Sequence, residues 1–139
     1  MPLQKSTFRH APIQFRDEHG ANCLRVPLDR AGKQYAIVTA SDYNRIQRAG
    51  ATGAWFLNKD GKIGRAYIRT MIPTGHKSRA LAMVARLVME AEPRTVIRYV
   101  NGDCFDLRPW NLVIRKGKSK QADMRLIQRR QDAQPEFRA

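Results

Sequence analysis

Residues 96–114 read VIRYVNGDCFDLRPWNLVI and hold the densest set of side chains able to do chemistry. Asp103 and Asp106 are oxygen ligands of the kind that hold a divalent cation, Asn111 follows them, and His76 stands upstream in PTGHKSR. As a group these four would make an unusual metal-dependent nuclease site, in which the metal activates the attacking water. A plainer role fits the same residues. Asn101-Gly102-Asp103 is turn chemistry, and Asp side chains close loops by accepting backbone hydrogen bonds two residues on. Asn111 can order such a loop. Trp110 either stacks on a base or packs beneath the loop, and Trp55 reads as core. The glycine-containing loop around His76 is either a phosphate contact or a solvated turn. The run RKGKSK, residues 115–120, is the strongest cluster for phosphate.

Charge gives these residues their setting. Lys and Arg total 26 against 12 Asp and Glu, a net charge of +14, and arginine supplies most of the excess. Such a field attracts a polyanion, and arginine suits bidentate contacts with phosphate and guanine. A membrane-surface role fits less well, because no segment joins a basic face to a strongly apolar one. No run approaches the roughly 18 apolar residues of a membrane span. The segment MPLQKSTFRH shows no apolar region of a secretory signal, so residence in the cytoplasm, at the nucleoid or inside a host cell is expected. Cys23 and Cys104 have no neighbouring Cys or His at zinc-ligand spacing and are expected as free, small packed residues.

The elements that must position the site follow from periodicity. Residues 1–20 are mixed in charge and lack regular apolar spacing, which predicts a flexible arm or one ordered against a partner. Leu24, Val26 and Leu28 alternate, Asp29-Arg30-Ala31-Gly32 turns the chain, and YAIVTA returns, so residues 22–40 predict a hairpin. Ser41 and Asp42 stand at an N-cap position before a short helix ended by Gly50. Residues 54–72 predict a second hairpin through Asn58-Lys59-Asp60-Gly61. In it Arg65, Tyr67 and Arg69 point one way, while Ala66, Ile68 and Thr70 point the other. Leu81, Val84, Leu87 and Val88, with Ala80 and Met83 beside them, predict an amphipathic helix over 78–91, stopped by Pro93. TVIRYV and NLVIR predict two further strands, and 119–131 a polar helix.

Residues 96–114 resemble the core of phage-type HNH homing endonucleases. Asn101, Gly102, Asp103, Asp106, Arg108, Asn111 and Leu112 stand at the spacing of that family's segment. The resemblance extends over about residues 24–130 through VPLDRAGKQYAIVTASDYNRIQRAGATGAW, GRAYIRTMI and RALAMVARLVM. It implies a front part like the three-stranded DNA-binding sheet of plant transcription factors and a back part with a ββα-metal fold. The departures fall on the chemistry. The family's catalytic His position is occupied by Tyr99, the Asp before it by Arg98, and the later His or Asn falls near Lys120. The helix position often held by His is Ala85, and only Asn111 of the triad remains. A phenol is a poor general base at neutral pH, and a guanidinium repels a cation while attracting phosphate.

These readings combine into a single expectation. The chain is an α+β protein with small antiparallel hairpins, a central amphipathic helix and a C-terminal ββα, HNH-like unit. Residues 1–20 form a flexible arm, 21–131 one nucleic-acid-binding domain, and 132–139 a flexible tail. Its function is non-catalytic DNA binding on a degenerate nuclease scaffold, with duplex DNA favoured over RNA and no cofactor or metal. The grip is expected from Arg65, Arg69, Arg98, Arg108, Asn111, Arg115, Lys116, Lys118 and Lys120. The alternatives are a phage or mobile-element inhibitor of a host nucleoprotein defence complex, of the anti-CRISPR kind, an active metal-dependent HNH nuclease, and a ribosome-associated protein.

Overall fold

Runs of β-branched and aromatic residues separated by Gly, Asn and Asp build this chain from short strands, and a computed structural model shows how they assemble. It describes residues 9–59 and 65–117. The first sheet has the order β1-β2-β3, with β1 Ile13–Arg16, β2 Asn22–Pro27 and β3 Tyr35–Thr39, all antiparallel. Leu24, Val26, Ala36 and Val38 are buried. The presence of β1 corrects the expectation of an arm across the described residues 9–20. Asp17 makes the difference: its Oδ1 accepts hydrogen bonds from His19 and Ala21 backbone N–H at 2.9 and 2.8 Å. Gly20, at φ 77°, completes the reversal into β2.

Helix α1, Ala40–Arg48, starts one or two residues earlier than Ser41 and Asp42 suggest. Thr39 is the N-cap, and its Oγ1 accepts from Asp42 N–H at 3.2 Å. The helix buries Ile46 and closes at Ala49. Helix α2, Val84–Met89, ends at Glu90 in the left-handed region. Arg45 of α1 donates to the carbonyls of Leu87 and Val88 at 3.3 and 2.9 Å, a cation at the negative end of α2.

The second sheet has the order β4-β5-β6, with β4 Trp55–Lys59, β5 Ala66–Gly75 and β6 Ser78–Met83. Ile68, Thr70 and Ile72 are buried on one face, and Tyr67, Arg69 and Met71 stand half-buried on the other, the alternation expected of this hairpin. Buried Thr70 donates through Oγ1 to the Gly53 carbonyl at 2.9 Å. Gly53 has no room for a side chain, since a Cβ there would lie 2.5 Å from the Met71 carbonyl oxygen.

Strand β6 corrects the helix expected over 78–91. Only Val84–Met89 is α-helical, and Ser78–Met83 pairs with β5, Thr70 opposite Ala82 and Ile72 opposite Ala80. The small alanines face the covered side, and Leu81 is 37% exposed. A helix from residue 78 would leave the outer backbone groups of the ten-residue β5 without partners. Pairing outweighs the helix propensity of Ala and Leu. Lys77, at φ 64°, makes the reversal.

The third sheet pairs β7, Thr95–Tyr99, with β8, Leu112–Lys116. Its connecting loop is stitched to the free edge of β3: Ile37 N–H donates to the Phe105 carbonyl at 2.8 Å, and Leu107 N–H donates to the Ile37 carbonyl at 2.7 Å. Leu107 thereby enters the same core as Trp55, Ile46, Ile68 and Leu87. The buried guanidinium of Arg86 bonds the carbonyls of Thr95 and Glu92 at 2.6 and 2.8 Å, fixing the entry into β7. The 119–131 helix, the 132–139 tail, residues 1–8 and the turn at 60–61 lie outside the described residues. No helix among the described residues is long and apolar enough to cross a membrane.

The strand assignment of 78–83 separates two substitutions. Leu87→Ala is expected to cost about 2–5 kcal/mol, and Leu81→Ala less than about 1 kcal/mol, in urea unfolding. Large, equal losses from both would restore the continuous helix.

Candidate nucleic-acid interface

The loop between β7 and β8 uses its polar side chains internally. Asn101 N–H donates to Asn111 Oδ1 at 3.0 Å, and Asn111 Nδ2 donates to the Asp106 carbonyl at 2.9 Å. Asp103 Oδ1 accepts from Phe105 N–H at 2.9 Å, an Asx turn. Asp106 is buried, and its carboxylate accepts from Arg108 Nε and Nη2, both at 2.8 Å, and from Asn101 Nδ2 at 3.2 Å. Asp103 and Asp106 are thus loop-closing residues. No three His, Cys, Asp or Glu side chains form a metal-holding group among the described residues, so His76, Asp103 and Asp106 are not brought together.

Two expected contact residues are withdrawn from the surface. Asn111 is buried and faces the loop's own backbone. Arg108, its side chain 12% exposed, reaches Asp17 at 3.0 Å and Glu18 at 2.8 Å as well as Asp106. Three carboxylates pair with it, where the sequence leads us to expect phosphate. The acidic pair Asp17-Glu18, in an otherwise basic stretch, was the available signal. Trp110 does not pack under the loop. It is 44% exposed, edge-on to His19 at 5.4 Å, with the Arg108 guanidinium 5.4 Å from its ring centre.

This network shifts its members in opposite directions. Burial pushes the Asp106 carboxyl up, but hydrogen bonds from Arg108 outweigh it and hold the group below its ordinary value. Asp17 behaves alike: burial raises it, and the Ala21 N–H, Arg108 and the His19 N–H lower it further than that. Those carboxylates, Asp106 first, hold Arg108 protonated well above its usual range. Cys23, whose Sγ lies 3.7 Å from Asp17, has its thiol pushed up to about 11, chiefly by burial. Cys23 and Cys104 are both free.

The other half of the site is a cleft of about 650 Å³ between β5 and β7. Arg65, Tyr67 and Arg69 line it from one side, Val96, Arg98 and Tyr99 from the other, and Arg86 and Met83 also contribute. No carboxylate lines it among the described residues. Arg65 and Arg98 are exposed, and Arg69 lies with its guanidinium 5.7 Å from the Tyr67 ring centre. Arg115 extends the cationic face. Val96 pairs with Arg115 and Arg98 with Val113, so Arg98 and Arg115 share one face of the β7–β8 hairpin. Exposed Lys116 is opposite Thr95 on the other face, with Ile97 and Tyr99. Lys118 and Lys120 lie outside the described residues. Arg86 is the cleft residue that sequence reasoning missed, because a basic residue inside an apolar run reads as solvated.

Arg98 and Tyr99 occupy the positions where the HNH resemblance requires a metal ligand and a base, and neither fits. Arg98 carries the cation's own sign. Burial pushes the Tyr99 phenol further above its already high value. Comparison with protein-family models, with curated proteins and with solved structures gave no match.

Replacing Arg108 by Met is expected to lower stability by about 3–5 kcal/mol at pH 7, since it leaves Asp106 buried without its cation. The pH dependence follows from the depressed folded-state pKa of Asp106. Its contribution is present above the unfolded value of about 3.9 and is lost as pH falls through the folded value. The gap between wild type and variant should therefore be widest above about pH 5 and shrink on acidification, read by urea unfolding across pH.

Proposed function

We propose that this protein binds DNA without cleaving it, holding the phosphate backbone with arginines on a scaffold related to HNH nucleases. The observation that carries the reading is the convergence of Arg65, Arg69 and Arg98 on one cleft lined by no carboxylate among the described residues. None of the three has an ion pair or a hydrogen-bond acceptor among the described residues, in contrast to Arg108. Burying or crowding like charges without counter-charges costs stability, so such a set marks a surface shaped for an anionic ligand. In the HNH reading, the β7–β8 hairpin is the ββ part of a ββα unit, and Arg98 takes over the attraction for phosphate that a metal would supply. Tyr99, with its phenol held protonated, contributes no base.

Arg115 extends the grip beyond the cleft, beside Arg98, and the β5 hairpin provides the opposing wall. Each phosphate so neutralised releases counterion, and a guanidinium adds a directed hydrogen-bond fork to its charge. The net +14 supplies the long-range attraction that brings the partner in.

Fluorescence anisotropy of a labelled duplex tests the reading. Three or four neutralised phosphates predict a slope of log K against log salt of about −3 or steeper, unchanged by magnesium. Replacing Arg98 and Arg115 together by Ala should weaken binding by about tenfold or more. Binding insensitive to salt, or magnesium-dependent cleavage of the duplex, would overturn it. Absence of binding at low salt would turn the basic surface toward a protein target instead.

A further inference from the structure

We propose that the cleft between β5 and β7 receives an unpaired nucleotide, so that the protein prefers a junction of duplex and single-stranded DNA to a continuous duplex. The inference rests on the DNA-binding reading and names the ligand of that same cleft.

The walls of the cleft exceed what a phosphate requires. Arginines alone hold a phosphate, yet Tyr67, Met83, Val96 and Ile97 line the same space. Those residues match a flat, apolar body. The volume, about 650 Å³, falls within the range of sites that enclose a small organic ligand. A base-paired duplex can lay only its phosphate ridge across such an opening, and its bases stay inside their own stack. A nucleotide freed from pairing can enter, place its base against Tyr67 and leave its phosphate among Arg65, Arg69 and Arg98.

Two polar atoms add to this. Arg69 Nε and Tyr99 Oη are shielded from solvent and have no hydrogen-bond partner among the described residues. Both belong to cleft-lining residues. Shielded polar groups of this kind are normally satisfied, and the edge of an unpaired base offers both donors and acceptors. Arg69 is also set near the face of Tyr67, so arginine and ring form a platform before any ligand arrives.

The test compares three labelled DNAs with the full chain by anisotropy: a blunt duplex, and the same duplex with a four-nucleotide single-stranded tail at either end. A tailed duplex should bind about tenfold more tightly than the blunt one, the effect of one stacked base. A 2-aminopurine in the tail should lose fluorescence on binding to the wild-type protein. Tyr67→Leu should erase the preference for the tail, so that tailed and blunt duplexes bind that variant alike. Equal affinity for all three DNAs, with unchanged 2-aminopurine emission, would overturn the inference while leaving DNA binding intact. Failure to bind any of the three would instead remove the reading on which it rests.

Discussion

The fold depends on a single guanidinium. Arg108 joins Asp106 in its own loop to Asp17 and Glu18 in the turn before β2, across about ninety residues of chain. Its side chain is largely covered and that of Asp17 wholly so, which leaves the charges little water to exchange with. Charge-assisted, multiply hydrogen-bonded contacts in that setting are strong, and the loss of one member strands the rest. The same contact fixes the loop of the third sheet against the first. Leu107 is carried into the core beside it, and Asn111 and Asp103 then shape the loop around that anchor.

The arginines of this chain consequently divide by what they meet. Arg45, Arg86 and Arg108 turn inward, onto helix ends, carbonyls and carboxylates. Arg65, Arg98 and Arg115 remain on the surface, while Arg69 lies half-buried against a tyrosine. Composition alone treats all of these as one positive field. The structure distributes them between cohesion and display, and Arg65, Arg69 and Arg98 are the displayed ones that meet at the cleft.

The strands at 22–40, 54–72 and 95–116 were legible because period-two alternation and turn residues agree there. The basic face of β5 was legible for the same reason. The segment 78–83 was not. Its Ala and Leu residues suit a helix of period 3.6 equally well, and the decision came from the open edge of β5, a partner distant from any local pattern. The ion pairs of Arg108 were hidden for a related cause. A cation's local neighbours do not reveal an acid ninety positions away, although the isolated Asp17-Glu18 pair was a trace of it. The strand at 13–16 was hidden because its own pattern is weak and its support comes from β2.

The stitching of Ile37 to Phe105 and Leu107, and of Asp17 to Arg108, also determines when this chain is able to fold. Contacts so far apart in sequence must close long loops before any reward is felt, which slows the search. During synthesis β3 emerges with one edge bare and the Asp17 carboxylate without its cation. The missing cover is not made until residues 105–108 leave the ribosome. For about half of its synthesis the nascent chain therefore exposes an unpaired strand edge, the kind of surface for which chaperones exist.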